Sequence, residues 1–333
     1  MTSTVRLLAS TRLTLLGIAL LALGALLSYN KPEAPLWLLV APLSWLAVNL
    51  TGALFVNPRL RRDGGLLVFH LALLGMILLV GAGRLMRYDG RVEISEGSMF
   101  SANEAEALRQ GPWHPFRLDQ VHFAQGPFSI EYANGLNRGI TRSHVFVPGS
   151  DGQRIAAVIG DSTPLLLQGY RFYTTSNKGY APLITWTPAG GRPASGTLNM
   201  PSYPQYEWMQ ESHWTPPGGS ELKFKLHLKT GYSPNSDWVL DGKSEQTSLT
   251  IISGNSHFDL KPGDTATLPN GSLRFDELRS WMGYSIYYDP TLPWLFVVAV
   301  TGVAGLGWYY WRNPAKQQFA AAAIPSNTRS ISL

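Results

Sequence analysis

The sequence predicts an integral membrane protein with four transmembrane α-helices, arranged three plus one around a large extracytoplasmic domain, mainly β, of the sandwich or open-barrel kind. Two observations carry this. Charged residues make up only 15% of the 333 residues, against about a quarter in ordinary soluble proteins. The shortfall is concentrated in four blocks, 13–29, 36–56, 66–83 and 294–311, which contain no Asp, Glu, Lys or Arg and have the length a helix needs to cross a bilayer core. Between the third and fourth blocks, over 84–293, continuous apolar runs give way to alternation punctuated by turn dipeptides.

The arm 1–12 carries Arg6 and Arg12. The first block, 13–29, lacks a convincing small-residue cleavage site and is followed within a few residues by the second block, 36–56, so it reads as a retained helix and not as a cleaved signal peptide. The link from Asn57 to Gly65 holds Arg59, Arg61, Arg62 and Asp63, and the tail 312–333 holds Arg312, Lys316 and Arg329. Arm, link and tail together carry +7, which leaves −2 for the rest of a chain whose net charge is +5. The basic excess therefore flanks the membrane on one side, which argues against a nucleic-acid partner. By the positive-inside rule the arm, the link and the tail are cytoplasmic and 84–293 lies outside. Trp37, Trp45, Trp294, Tyr309, Tyr310 and Trp311 sit near span ends, where amphipathic rings anchor at the headgroup level of the lipid. The tail after Pro314 has the composition of a disordered segment.

The 210 residues of the Arg84–Pro293 segment suffice for a sizeable core. Strands are expected at Arg91–Ile94, Phe116–Phe123, Phe128–Tyr132, Ser143–Val147, Ile155–Ile159, Leu165–Thr174, Leu183–Thr187, Leu222–Lys229, Gln246–Ile252, Ser272–Phe275 and Tyr284–Tyr288, with a short helix near Ala102–Gln110. Asp89-Gly90, Asn134-Gly135, Asp151-Gly152, Gly190-Gly191, Asp241-Gly242 and Asn270-Gly271 provide the turns between them. In Leu222–Lys229, Leu and Phe alternate with Lys and His, the pattern of a half-exposed antiparallel strand. Pro188–Gly219, rich in Pro, Gly, Ser and aromatic residues without a period, reads as an ordered surface loop that could dock a partner.

The chain has no cysteine, which excludes disulfides, thiol redox chemistry, an iron–sulfur site and covalent haem attachment through Cys-x-x-Cys-His. Phosphate loops and the His-Glu-x-x-His metalloprotease motif are missing too, so an enzyme acting alone is not expected. Six of the seven histidines, His114, His122, His144, His213, His227 and His257, are scattered through the outer segment without ligand spacing and read as surface or turn residues. His70 differs, because it lies inside the third span in Phe69-His70-Leu71, where an imidazole must find a partner or a wet cavity. It is either interhelical glue or a functional group, and neutral imidazole is a common haem-iron ligand. No other span contains His, and Met76 is six residues away, so a second axial ligand would come from a partner.

Several stretches bring a family into view: Phe69-His70-Leu71; Gly90-Arg91-Val92-Glu93-Ile94-Ser95-Glu96-Gly97-Ser98-Met99-Phe100; Phe128 to Gly135; Pro164-Leu165 through Gly169-Tyr170-Arg171-Phe172-Tyr173; and Asp289-Pro290 before the last span. In their order and their placement relative to four spans they resemble the ResB family, also called CcsB, of the System II cytochrome c assembly machinery, over about Leu7 to Arg312. Asp161 and Thr291 stand where the family pattern has Asn and Gly. The resemblance implies a multi-pass protein of a bacterial inner membrane with a periplasmic domain. It implies a CcsA-like partner with which haem b, held non-covalently, is carried across the membrane for attachment to apocytochrome c. The chain would then be the supporting subunit of a haem lyase, with no catalytic residue of its own, and His70 would be the axial ligand to the haem iron. The rivals are an accessory or structural subunit of a membrane electron-transfer complex built on the same scaffold, and an envelope receptor or adhesion domain that holds no haem.

Overall fold

In the computed structural model, residues 9–312 are described, apart from 30, 32, 135 and 150. Most of the arm expected to be cytoplasmic, the expected disordered tail and Gly135 of one expected turn thus lie outside the described residues. The chain divides into two compact units: a helical one, which takes in 109–114 as well as the chain ends, and a β unit formed by 88–108 and 115–288.

Four helices of the helical unit are long and apolar enough to cross a membrane: α1 (Thr11–Ser28), α2 (Trp37–Val56), α4 (Gly64–Met86) and α5 (Leu292–Arg312). A short α3 (Pro58–Arg62) turns the chain between the second and third, with the Asn57 side chain accepting from the Arg59 amide. At about 1.5 Å per residue, the 18 to 23 residues of these helices match the bilayer core. α2 packs between α1 and α4, and α4 packs against α5 as well. Glycines set the spacing, as expected where lipid on all sides removes the hydrophobic drive for association and close van der Waals contact has to supply it. A Cβ on Gly305 would stand 2.8 Å from a Val68 methyl and 2.9 Å from the Phe69 amide nitrogen, and one on Gly65 would stand 2.6 Å from the Tyr309 amide nitrogen. Between α1 and α2, Gly24 lies against the Leu38 carbonyl, and a polar node joins the pair. There the Thr14 hydroxyl donates to Asn49 Oδ1 at 2.7 Å, and Asn49 Nδ2 donates to the Ser10 carbonyl at 3.3 Å.

Helix ends leave carbonyls without intrahelical partners. At the C-terminal end of α4 these are covered by the crossing segment 109–114. The Trp113 amide donates to the Leu85 carbonyl at 2.8 Å, the Gly111 amide to the Arg87 carbonyl at 2.9 Å, and His114 Nδ1 to the Met86 carbonyl at 3.2 Å. Gly111 approaches the Leu85 carbonyl too closely for any Cβ. At the start of α5, Asp289 Oδ1 accepts from the Thr291 amide at 2.9 Å and from its hydroxyl at 2.6 Å, closing the cap of the last span.

The β unit has three sheets, and every pairing with a defined register is antiparallel. The first runs β2 (Glu106–Gln110), β1 (Tyr88–Ser95), β15 (Gly271–Tyr288), β7 (Tyr170–Pro188) and β6 (Leu165–Leu167), with β14 (Thr265–Leu268) also on β15 and β8 (Ala194–Thr197) on β7. The second runs β13 (Ser256–Leu260), β12 (Gln246–Ser253), β10 (Leu222–Lys229) and β9 (Glu211–Trp214). The third runs β11 (Trp238–Leu240), β3 (Ala124–Ala133), β4 (Asn137–Pro148) and β5 (Arg154–Ile159). None of the sheets closes into a barrel. One apolar cluster joins all three, with Ile130, Val145, Phe172, Phe224, Leu249, Phe275 and Ile286 fully buried.

The spine is the β7–β15 ribbon, in register from Tyr170↔Tyr288 to Gly271↔Pro188. Here the sequence expectation is corrected. Ser272–Phe275 and Tyr284–Tyr288 belong to one strand, as do Leu183–Thr187 and the end of Leu165–Thr174. The polar runs between them imitate turns, but they lie within paired strands whose alternation is reset by bulges at Phe275/Glu277 and Met282/Tyr284. The front of Leu165–Thr174 is a separate strand, because Gln168 and Gly169 both have positive φ (51° and 85°) and form a tight hairpin turn. Two other expectations fail. Phe116–Phe123 forms no strand: Phe116 has φ 51° and Leu118–Gln120 is a 3₁₀ turn, although Val121 and Phe123 are still buried. Ala102–Gln110 is a 3₁₀ turn followed by β2, not a helix, since pairing along the sheet edge overrides local propensity. Pro188–Gly219, expected as loop, contains β8 and β9, and its aromatics divide between buried Tyr203 and exposed Trp208.

A buried polar ring ties the first sheet to the third. The Tyr284 hydroxyl donates to Gln125 Oε1 at 2.5 Å, Gln125 Nε2 donates to Ser143 Oγ at 2.9 Å, and Ser143 Oγ lies 2.6 Å from the Tyr284 hydroxyl. Burial pushes the Tyr284 phenol well above its ordinary pKa. Tyr284→Phe leaves Gln125 and Ser143 each short of a partner and is expected to cost about 1–3 kcal/mol. It should lower the thermal midpoint of the full-length protein by several degrees, with part of the loss recovered in Tyr284→Phe/Gln125→Leu. An unchanged midpoint would show that the ring adds no stability.

Candidate functional site

His70 occupies the second turn of α4, a helix opened by Asp63, whose carboxylate accepts from the Leu66 amide at 3.2 Å. Its Nδ1 lies 2.8 Å from the Leu66 carbonyl oxygen. A carbonyl can only accept, so Nδ1 carries the proton in the neutral ring and Nε2 holds the lone pair. This is the arrangement in which a metal-ligating imidazole is usually held, one nitrogen fixed by a backbone carbonyl and the other available. The Phe69 ring meets the imidazole edge-on at 5.3 Å between centroids.

The residues of α4 that meet α5 include Gly65, Val68, Phe69, Ala72 and Gly75. At about 100° per residue, His70 lies roughly 160° around the helix from the centre of that face. It therefore points away from the last span and is only half-buried within this chain. Nε2 accepts no hydrogen bond among the described residues. As interhelical glue its role would be to bridge to a neighbouring helix, yet its hydrogen bond stays inside its own helix. No group of three or more His, Asp or Glu able to hold a metal ion occurs among the described residues.

The other histidines are placed as follows. His122, His144, His213, His227 and His257 are exposed; His227 lies 3.1 Å from Thr250 Oγ1 and His213 lies 3.5 Å from Glu221. His114 corrects the expectation of a surface residue. It is 3% exposed, and its Nδ1 closes the end of α4 as described above; burial lowers its pKa.

Most of the motif residues prove to be structural. Gly97, at φ 83°, lets its amide reach the Gln125 carbonyl at 2.8 Å, and the Glu96 carboxylate accepts from the Ser280 hydroxyl at 2.9 Å, so this motif joins the start of the β unit to β15 and β3. Gly169 makes the β6–β7 turn that delivers Tyr170, fully buried, to the core. Asp161 accepts from Arg138 at 2.6 Å and from Thr174 at 3.1 Å, an ion pair an Asn could not make; Thr291 adds a hydroxyl to the α5 cap where Gly could add none. Two charged groups of the β unit are shifted by their surroundings. Lys178, 5% exposed beside Tyr132, is brought down to about 8, first by burial and then by Arg138, and Glu211 is brought down to about 2 by Lys223 and Lys225 on the neighbouring strand. Both are local pairings within the β unit.

Comparison with curated proteins finds no match. Residues 59–188, from the α3 turn through α4 and the first seven strands, match the model of the ResB-like family, to which this segment is therefore similar.

Proposed function

We propose that this protein is the supporting subunit of a cytochrome c haem lyase in a bacterial inner membrane. Together with a CcsA-like partner it carries haem b across the bilayer and presents it to apocytochrome c on the periplasmic side. Haem is cargo here. One axial position of its iron is filled by His70 Nε2 and the other by a residue of the partner, while thioether formation takes place at the partner. The observation that carries this reading is His70 itself: the one histidine in four spans, its Nδ1 held by the Leu66 carbonyl at 2.8 Å, its Nε2 turned away from the last span. The β unit, bearing exposed aromatics such as Trp208 and Tyr206, positions the acceptor.

Deletion of the gene tests the reading. Haem-stained denaturing gels should lose c-type cytochromes while b-type spectra persist; retention of both would favour an accessory role in an electron-transfer complex.

The orientation is tested separately. With the basic arm, link and tail in the cytoplasm, Ser236→Cys, exposed in the β unit, should label with an impermeant maleimide in cells with a permeabilised outer membrane, and Ser326→Cys should label only after lysis. The reverse pattern would invert the topology.

A further inference from the structure

Pro188–Gly219, a stretch whose composition suggests a docking surface, contributes strand β8 to an edge of the first sheet. β8 pairs with β7 in the register Trp186↔Ala194 to Leu183↔Thr197, and the Leu198 amide continues the ladder by donating to the Pro182 carbonyl at 3.0 Å. Hydrogen-bonded and non-hydrogen-bonded pairs alternate along an antiparallel ladder. The Leu198 bond therefore fixes Gly196 and Ala194 as the residues bonded to β7, and it turns the amides and carbonyls of Ser195 and Thr197 to the outer edge. No strand pairs with that edge among the described residues, and β8 is exposed from Ala194 to Gly196.

The same strand borders a pocket of about 220 Å³. Paired residues share a face of the sheet, so Ala194 and Gly196 lie on the face to which the buried Trp186 and Ile184 belong. Two small residues beside two large ones leave that face partly uncovered: a Cβ on Gly196 would find nothing within 4 Å. Trp214 and Pro217 supply further wall, and the Trp214 ring meets Trp186 edge-on at 6.3 Å between centroids. No charged residue lines the pocket. Trp186 Nε1 is buried without a hydrogen-bond partner among the described residues, a cost that an added acceptor removes.

Size and position decide the class of occupant. Sites for whole small molecules run from about 300 to 1,000 Å³, whereas this pocket suits a single apolar side chain. It adjoins a strand edge with two donors and two acceptors turned outward, the pairing of features used in strand addition, where main-chain bonds hold an extended segment and a pocket reads one of its side chains. We propose that β8 receives an extended segment of a partner polypeptide as an added strand, bonded to Ser195 and Thr197, with one aromatic or branched aliphatic side chain seated against Trp186 and Trp214. The segment also brings carbonyl acceptors to the wall that holds the unpartnered indole. This site requires neither haem nor His70.

The test uses the full-length protein in detergent and fluorescein-labelled eight-residue peptides of Thr and Ser that differ only in one central residue, Leu, Trp or Ala. Fluorescence anisotropy should show the Leu or Trp peptide bound about tenfold more tightly than the Ala peptide. Amide exchange across residues 193–198 should slow when it binds. Gly196→Leu fills the pocket from a position where a Cβ is unopposed, so the thermal midpoint should hold while the tenfold preference falls below about twofold. If the midpoint falls instead, the wild-type protein decides by itself: N-methylation of the amides flanking the anchor removes strand bonds and should weaken binding about tenfold. No preference for the apolar anchor, a preference that survives Gly196→Leu in a folded protein, or indifference to N-methylation overturns the proposal. Free indole binding that Gly196→Leu abolishes, with no peptide bound, would make this a small-molecule pocket and overturn it as well.

Discussion

His70→Gly is expected to lower the haem content of the complex co-purified with its partner by about tenfold and to abolish most holocytochrome c formation, with millimolar imidazole restoring part of both. The argument rests on the count of ligands. No other span carries a histidine, so a haem within the membrane takes at most one imidazole from this chain, and glycine leaves a space that imidazole can refill. The Leu66 carbonyl, which holds Nδ1 at 2.8 Å, stays in place to orient the exogenous ring. His70→Phe fills the space without a nitrogen and should lose haem without rescue. A packing histidine would behave differently: stability would fall, and imidazole would restore neither haem nor maturation. A stable His70→Gly complex with normal haem and normal cytochrome c would end the axial-ligand assignment.

Gly305→Leu is expected to separate α4 from α5 and to cost about 3 kcal/mol or more, because the clash is with backbone as well as side chain. The added Cβ alone would meet Val68 at 2.8 Å and the Phe69 amide nitrogen at 2.9 Å, and both residues lie within two positions of His70. Thermal denaturation in detergent should show a large drop in midpoint, and, on the proposed function, haem content should fall with it through displacement of the helix that carries His70. Gly307→Leu is the control on the same helix, since nothing lies within 4 Å of its added Cβ; it should change stability by less than about 0.5 kcal/mol. Equal effects of the two substitutions would show that the glycines do not set the α4–α5 spacing.

The sequence by itself determined the four spans, the β character of the intervening segment and the singular position of His70. Each rests on a signal local in the chain and strong in energy. An uncharged run of bilayer length has few other fates, alternation over Leu222–Lys229 matches one strand face, and an imidazole in an apolar helix is conspicuous wherever the helix packs. Only the tertiary structure decided the rest. The β7–β15 ribbon was not legible because its bulges reset the period-2 pattern and its polar middle, Ser176 to Gly179, has turn composition. The edge strands β2 and β8 owe their conformation to the neighbour they pair with. His114 became a buried cap for α4, although its own stretch of sequence resembles a surface turn, because the acceptor it satisfies is 28 positions away in the chain. The glycines that bring α4 and α5 together depend in the same way on contacts between distant segments. Spacing and composition describe a chain's neighbours along its length, whereas packing, capping and charge clustering are set by its neighbours in space.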